Sequence, residues 1–219
     1  MPAHAYESYS IEAEDLVIQR LFDTVIFKDR TRTGFYLDIG AFHPIIHSNT
    51  YFFYLKGWRG VNVEPNPQYI SEFAQLRPED VTINAGLSDE AGLLNYHMFE
   101  FAMLNGFYDR DVVDYHVNLG QKYLGEKQVE CIATPEFLTK YVTREIDFIS
   151  LDIETREPPV LRTWDWVNKR PKLICIEIHG VTMADTLKSA YVDILGEKGY
   201  TLMSRIWQSA MFVDNKYLT

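Results

Sequence analysis

Four short runs end on residues that could do chemistry: Asp38-Ile39-Gly40-Ala41, Glu64 after Val61-Asn62-Val63, Leu151-Asp152-Ile153-Glu154, and Glu177-Ile178-His179-Gly180. Each closes a segment rich in β-branched or aromatic residues. In an open parallel sheet, ligands bind beyond the carboxyl ends of the strands. Gly40 can take a positive φ and let the chain approach a ligand; the plain alternative is a turn with Asp38 capping backbone N–H groups. Glu64 has two acceptor oxygens, which match the vicinal hydroxyls of a ribose, and as a lone residue it reads as a solvated strand end. Alternation places Asp152 and Glu154 on one side, where they could bind a hard cation or a substrate hydroxyl, or pair with Arg156. Glu177 and His179 share a face; a neutral imidazole is a natural base for a hydroxyl, although a strand-end histidine can equally be structural. Asn84, Gly86 and Ser88 close a further run.

The elements that must position these residues alternate between strand and helix patterns, which is the mark of an α/β fold with a mostly parallel sheet. Strands are expected at Phe35–Ile39, Val61–Glu64, Val81–Asn84, Leu93–Phe101, Ile146–Ile153 and Leu173–Ile178, and a terminal hairpin over Thr201–Ile206 and Ala210–Val213. Helices are expected over Ala13–Phe27, Ser48–Leu55 (Ser48 as N-cap, Gly57 as C-cap), Gln68–Leu76, Val160–Val167 and Met183–Leu195. Asn105 to Gly125 reads as irregular, polar and aromatic.

The 219 residues suit one domain spanning 1–219, with an N-terminal helical element over 1–30 and an active-site cover over 102–130. Twenty-one basic against 31 acidic side chains give a net charge of −10, the wrong sign for a phosphate-backbone binder, so no nucleic-acid partner is expected. Cys131 and Cys175 stand far apart with no CxxC spacing, which argues against a disulfide framework or a cysteine-built zinc site. No run reaches the eighteen or so apolar residues of a membrane span, and the N-terminus lacks the pattern of a signal peptide; a cytoplasmic protein is the expectation. GxGxxG and GxxxxGK[ST] are both missing.

The stretch LDIGAFHPIIHSNTYFFYLKGWRGVNVEPNP, ending at Pro67, resembles the FkbM family of S-adenosylmethionine-dependent methyltransferases. The likeness continues through Arg77-Pro78-Glu79-Asp80-Val81, Asn84-Ala85-Gly86-Leu87-Ser88, Leu104-Asn105, IDFISLDIE, Val160-Leu161, Trp164-Asp165-Trp166 and RPKLICIE, and Glu14-Asp15-Leu16 resembles the family's opening element. Thr155 stands where the family usually has glycine after LDIE, and Ile11 and Ala13 replace its usual Gln and Gly.

The resemblance implies a Rossmann-like seven-stranded methyltransferase sheet, with helices on both faces and a C-terminal antiparallel hairpin. It implies that Asp38, Gly40 and Ala41 line the methionine part of S-adenosylmethionine, with His43, Ser48 and Asn49 near its amino-acid end. Glu64 would hold the ribose, Pro65 and Asn66 would flank the adenine, and Gly86, Leu87 and Ser88 would touch its other side. Asp152 would lie near the sulfonium and the acceptor, a hydroxyl of a sugar, glycan or sugar-bearing natural product. His179 or His43 could be the base, Asp152 and Glu177 could hold Mg²⁺ or another divalent cation, and Tyr108, Tyr115, His116 and Tyr123 could stack on a sugar ring. A homo-oligomer, or a place in a larger glycan-processing protein, is compatible with this reading. The competing readings are an NAD(P)-binding Rossmann oxidoreductase, which shares the strand-end Gly and acidic residue, and a non-catalytic binding module on the same fold.

Overall fold

In the computed structural model, which describes residues 6–154, 156–180 and 182–218, the apolar runs form a seven-stranded mixed sheet. Its order is β3 (Val81–Ile83), β2 (Arg59–Val63), β1 (Phe35–Ile39), β7 (Phe148–Leu151), β8 (Leu173–Glu177), β10 (Ser209–Asp214) and β9 (Tyr200–Ile206). The first five run parallel, and β10 lies antiparallel to both β8 and β9. The hairpin expected at the C-terminus is therefore present, and the order reverses between β1 and β7.

Every residue of β1, β7 and β10 bar Ser209 is buried, because helices cover both faces. On one face, Leu37, Ile149, Ile174 and Phe212 pack with Phe137 and Leu138 of α5 (Thr134–Tyr141), Val160 and Leu161 of α6 (Glu157–Thr163), and Leu195 of α8 (Ala190–Glu197). On the other, Tyr36, Phe148, Cys175 and Met211 pack with Ile18 and Leu21 of α1 (Glu14–Leu21), the π-helical turn Phe22–Ile26, and Phe53 of α2 (Tyr51–Leu55). Phe148 is fully buried among the rings of Phe22, Phe53, Trp58 and Tyr36. A side chain so buried stabilises the fold by about 1.5–3 kcal/mol.

Two polar arrangements set the sheet's ligand-facing end. Arg77, which follows α3 (Pro67–Leu76), is completely buried. It donates to Tyr36 Oη at 2.7 Å and to Asp80 at 2.9 Å, and Asp80 in turn accepts from Gly60 N. Arg77 also reaches Pro44 O and Ser48 Oγ at 3.4 Å, so one guanidinium ties β1 to the loop before α2. At the N-terminus, Asp15 accepts from Ser8 Oγ and Tyr9 N, and Ser48 N donates to Tyr9 O. Ala13, standing where the resembling family usually has glycine, sits at φ +66, a left-handed conformation that explains why glycine suits that position.

Several expectations are corrected. Residues 105–125 are not irregular: they hold α4 (Arg110–Asn118) and the start of the long strand β6 (Tyr123–Ala133). β6 pairs with β4 (Gly86–Ser88) and β5 (Gly92–Phe99) in a second, three-stranded sheet, so Gly86 and Ser88 belong to a strand of their own and do not close the preceding run. The helix read over Met183–Leu195 is two helices, α7 (Met183–Leu187) and α8, broken at Ser189. α6 starts and ends earlier than its apolar spacing suggests. Ser48 accepts from Thr50 N and Tyr51 N, although the helix itself begins at Tyr51. Residues 1–5 of the N-terminal element and Thr155 lie outside the described residues.

Candidate active site

A cleft of about 890 Å³ opens at the carboxyl ends of the parallel strands, where the strand order reverses. Its wall on the β1–β2 side is fixed by backbone geometry. Gly40 holds φ +83, and a Cβ there would lie 1.7 Å from the Asp152 carbonyl oxygen, so no other residue fits this crossing. Gly40 N and Ala41 N both donate to Val63 O, and Asp152 N donates to Ile39 O. These bonds bring the ends of β1, β2 and β7 together.

Glu64 is buried behind this crossing. Its Oε2 accepts from Phe42 N at 2.8 Å and its Oε1 from Asn66 N at 2.6 Å. Each oxygen retains acceptor capacity beyond that one bond. Burial pushes its carboxyl up to about 8, against the pull of these two backbone donors. Asp38 accepts from Thr50 Oγ1 at 2.5 Å, and its carboxyl is also raised by burial, with Arg77 opposing. Asn49 donates to Ser150 Oγ at 3.0 Å, pinning the start of α2 to β7.

The wall beyond β7 and β8 is crowded with carboxylates. Asp152 and Glu177 are near enough to interact, and a proton between the two carboxyls would sit on Asp152. Burial and then Glu177 raise the Asp152 carboxyl; burial and then Asp152 push Glu154 up to about 8; burial and then Glu154 push Glu177 up to about 7. Arg156, the candidate ion-pair partner, turns away: it donates to Phe107 O at 2.9 Å and lies 4.0 Å from Asp109. Glu157, buried at the head of α6, accepts from Ile153 N at 3.0 Å and from Tyr191 Oη at 2.9 Å, and so fixes the loop that carries Asp152 and Glu154.

Of the residues singled out from sequence, Asp38, Gly40, Ala41, Ser48, Asn49, Glu64, Pro65, Gly86, Leu87 and Asp152 line the cleft. His43, Asn66, Ser88, Glu177 and His179 do not line it. His43 uses Nδ1 to accept from Ile45 N and Ile46 N, and its Nε2 lies 3.0 Å from Glu72. Asn66 caps α3 through Gln68 N, and Ser88 Oγ bonds Asp89. His179 is exposed, 3.9 Å from Glu177 and 3.3 Å from the Gln208 amide. Of the proposed cation pair, Glu177 belongs to the group whose ligand atoms converge among the described residues; that group is Glu154, Glu177 and His179, within 4.8 Å of one another. Tyr108, Tyr115, His116 and Tyr123 are not among the lining residues: His116 packs on Phe99 and Tyr108, and Tyr123 Oη lies 2.8 Å from His97.

Sequence reasoning missed Tyr69, Tyr96, Met103 and Phe107, which supply apolar lining. Phe107 packs against Tyr96 at 5.1 Å, and Gly86 leaves the space its ring fills. Asn105, quoted only for its place in a motif, lines the cleft and receives Phe99 N at 2.7 Å.

The chain's residues 38–202 match the methyltransferase FkbM domain, so the chain belongs to the FkbM methyltransferase family. That family is one of S-adenosylmethionine-dependent methyltransferases. Among solved structures, monomeric WbdD is similar over 92% of this chain at 10% identity and a TM-score of 0.50; the chain spans 40% of that protein's length. The METTL16 methyltransferase domain is similar over 93% of this chain and 68% of its own (11% identity, TM-score 0.48). The 1,6-didemethyltoxoflavin-N1-methyltransferase of Burkholderia thailandensis, solved with S-adenosylhomocysteine, is similar over 92% and 77% (10% identity, TM-score 0.43). No curated protein matches significantly. The oxidoreductase reading falls with the family assignment.

Proposed function

We propose that this chain transfers a methyl group from S-adenosylmethionine to a hydroxyl of a sugar or glycan. The observation that carries the proposal is the division of one cleft into two walls: Glu64 with its apolar surroundings on one side, and Asp152 beside Glu154 and Glu177 on the other. The first wall fits the cofactor: Glu64 has lone pairs to spare for two ribose hydroxyls, while Tyr96, Leu87 and Phe107 offer an apolar slot for a base. When bound, the cofactor supplies an activated methyl: its S–CH₃ bond breaks with the electron pair left on sulfur, and an O–CH₃ bond forms.

The chain's own residues then have two tasks. Gly40 and Ala41, locked to Val63 O, shape the floor against which donor and acceptor align. Asp152, once ionised, accepts the acceptor's hydroxyl proton; burial and the neighbouring Glu177 carboxylate raise its carboxyl well above the ordinary aspartate range. His43 is a poorer base, because both its ring nitrogens are engaged.

The test is incubation of the full chain with methyl-labelled S-adenosylmethionine and a panel of sugars and glycans, with Asp152→Ala alongside. Wild-type transfer to oxygen, lost by about 10²–10⁴-fold in a variant that still binds S-adenosylhomocysteine, is the expected result. Transfer to nitrogen or carbon acceptors would overturn the hydroxyl reading. Binding of cofactor with no transfer to any acceptor class would favour the non-catalytic module.

A further inference from the structure

We propose that Glu154, Glu177 and His179 form a divalent-cation site beside the cleft wall that Glu154 lines, one that would hold two neighbouring hydroxyls of the acceptor. The proposal deepens the hydroxyl-methylation reading and rests on it for the identity of the acceptor. The ligand atoms of the three residues lie within 4.8 Å of one another. On an octahedral ion with bonds of about 2.1 Å, neighbouring donors sit about 3.0 Å apart and opposite ones about 4.2 Å, so the three side chains draw together on binding.

Three features point to an ion here in addition to the acidity of the cluster. First, one of the three donors is an imidazole; to ligate through Nε2 it needs the Gln208 side-chain amide, 3.3 Å from Nδ1, turned so that its oxygen accepts the Nδ1 proton. Second, Tyr108 Oη is buried beside Glu154 without a hydrogen bond of ordinary geometry. A buried hydroxyl left so is costly, and a water on an ion held by Glu154 would give it a partner. Third, the one basic side chain in this loop, Arg156, is committed to Phe107 O and Asp109. The carboxylates of Asp152, Glu154 and Glu177 thus face one another with no side-chain cation between them among the described residues.

Two carboxylates and an imidazole suit a first-row divalent ion such as Mn²⁺ better than Ca²⁺, which prefers oxygen alone. Glu177 has two oxygens, so it can keep Asp152 on one and present the other to the ion. With three protein ligands, an octahedral ion keeps open positions for two vicinal hydroxyls. The ion polarises the bound hydroxyl; its proton passes to Asp152 as the oxygen takes the methyl, so charge and atoms balance with no further reactant.

The test is a titration of the full-length chain with Mn²⁺ at pH 8, reading the resonance of free aquo-Mn²⁺. One bound ion per chain is expected, displaceable by Zn²⁺. Glu154→Gln, Glu177→Gln and His179→Asn should each weaken it at least about tenfold, while Asp114→Asn, an exposed carboxylate on α4, leaves it unchanged. S-adenosylhomocysteine affinity, measured on the same samples, reports that each variant is folded. Absence of a stoichiometric site in wild type, or equal Mn²⁺ affinity in the folded site variants, overturns the proposal. A chain that binds the cofactor and not Mn²⁺ loses the ion site and keeps the methyltransferase reading. A chain that binds Mn²⁺ through these residues and transfers methyl groups to acceptors other than hydroxyls keeps the ion site and loses the acceptor.

Discussion

The two walls of the cleft handle buried carboxylates in opposite ways. On the β1–β2 side, Asp38 is met by the Thr50 hydroxyl and Glu64 by two backbone N–H groups, and Arg77 stands behind Asp38 in a network that also grips Tyr36, Asp80 and Ser48. On the β7–β8 side, Glu177 raises Asp152, Asp152 raises Glu154 and Glu154 raises Glu177, and Tyr108 Oη is buried without a well-formed bond. The first wall is complete in itself. The second gains from a positive partner. The contrast separates a rigid surface for a constant ligand from a surface whose energy depends on what enters, as expected where a catalytic group must have a displaced pKa.

The strongest way to break this contrast is to remove the anchor of the rigid wall. Glu64→Ala should weaken S-adenosylhomocysteine binding by about 2–4 kcal/mol, or about 30- to 1,000-fold, since two hydrogen bonds to the ribose are lost. It also orphans Phe42 N and Asn66 N, so the lip of the cleft should loosen. Glu64→Gln, which keeps one carbonyl oxygen, should fall between the two. Calorimetry showing equal affinity in folded Glu64→Ala would remove Glu64 from the cofactor wall.

A middle-sized effect should appear as a pH dependence of stability. Glu64 and Glu154 are pushed up to about 8 and Glu177 to about 7, against an ordinary glutamate value of about 4.3. The folded chain therefore holds protons that the unfolded chain releases. That stabilisation is complete below about pH 4.3 and is lost as pH rises through 7 to 8. In the ligand-free chain the melting temperature should drop by at least roughly 10 °C between pH 6 and pH 9. Glu154→Gln should flatten the drop and raise the alkaline melting temperature, because it removes one member of the repelling set. A melting temperature that climbs with pH would show that the second wall already holds its compensating charge.

Much of the first wall could be read directly from sequence, and less of the second. Asp38, Gly40 and Glu64 belong to short motifs at the ends of apolar strands, and alternation or continuous burial made those strands visible. The second wall draws Asp152 and Glu177 from equally clear strand ends, but Tyr108, Glu157 and Tyr191 join it from segments whose pattern says nothing about that meeting. Glu154 reaches the cleft by a left-handed turn at φ +55, past the end of β7, where strand alternation no longer applies. β6 escaped detection because one of its faces is exposed and polar at Glu126, Gln128 and Glu130, while the other offers the half-buried Gly125 and Lys127 in place of an apolar row.

The smallest effect sharpens the comparison most, because it should touch one wall alone. Tyr191 stands on α8 and contributes to the site through a single bond, Oη to Glu157 at 2.9 Å; Glu157 in turn holds Ile153 N. Tyr191→Phe keeps the ring that packs against the core and deletes only the hydroxyl. The loss should be about 1 kcal/mol, or about 2–4 °C in melting temperature. Since Glu157 then keeps only the backbone bond, the loop bearing Asp152 and Glu154 gains freedom, and the rate of methyl transfer should fall a few-fold. S-adenosylhomocysteine affinity should not change, because Asp38, Glu64 and their donors share no bond with Glu157. Equal losses in cofactor affinity and in rate would mean that the two walls move as one body, and that the division drawn between them has no mechanical counterpart.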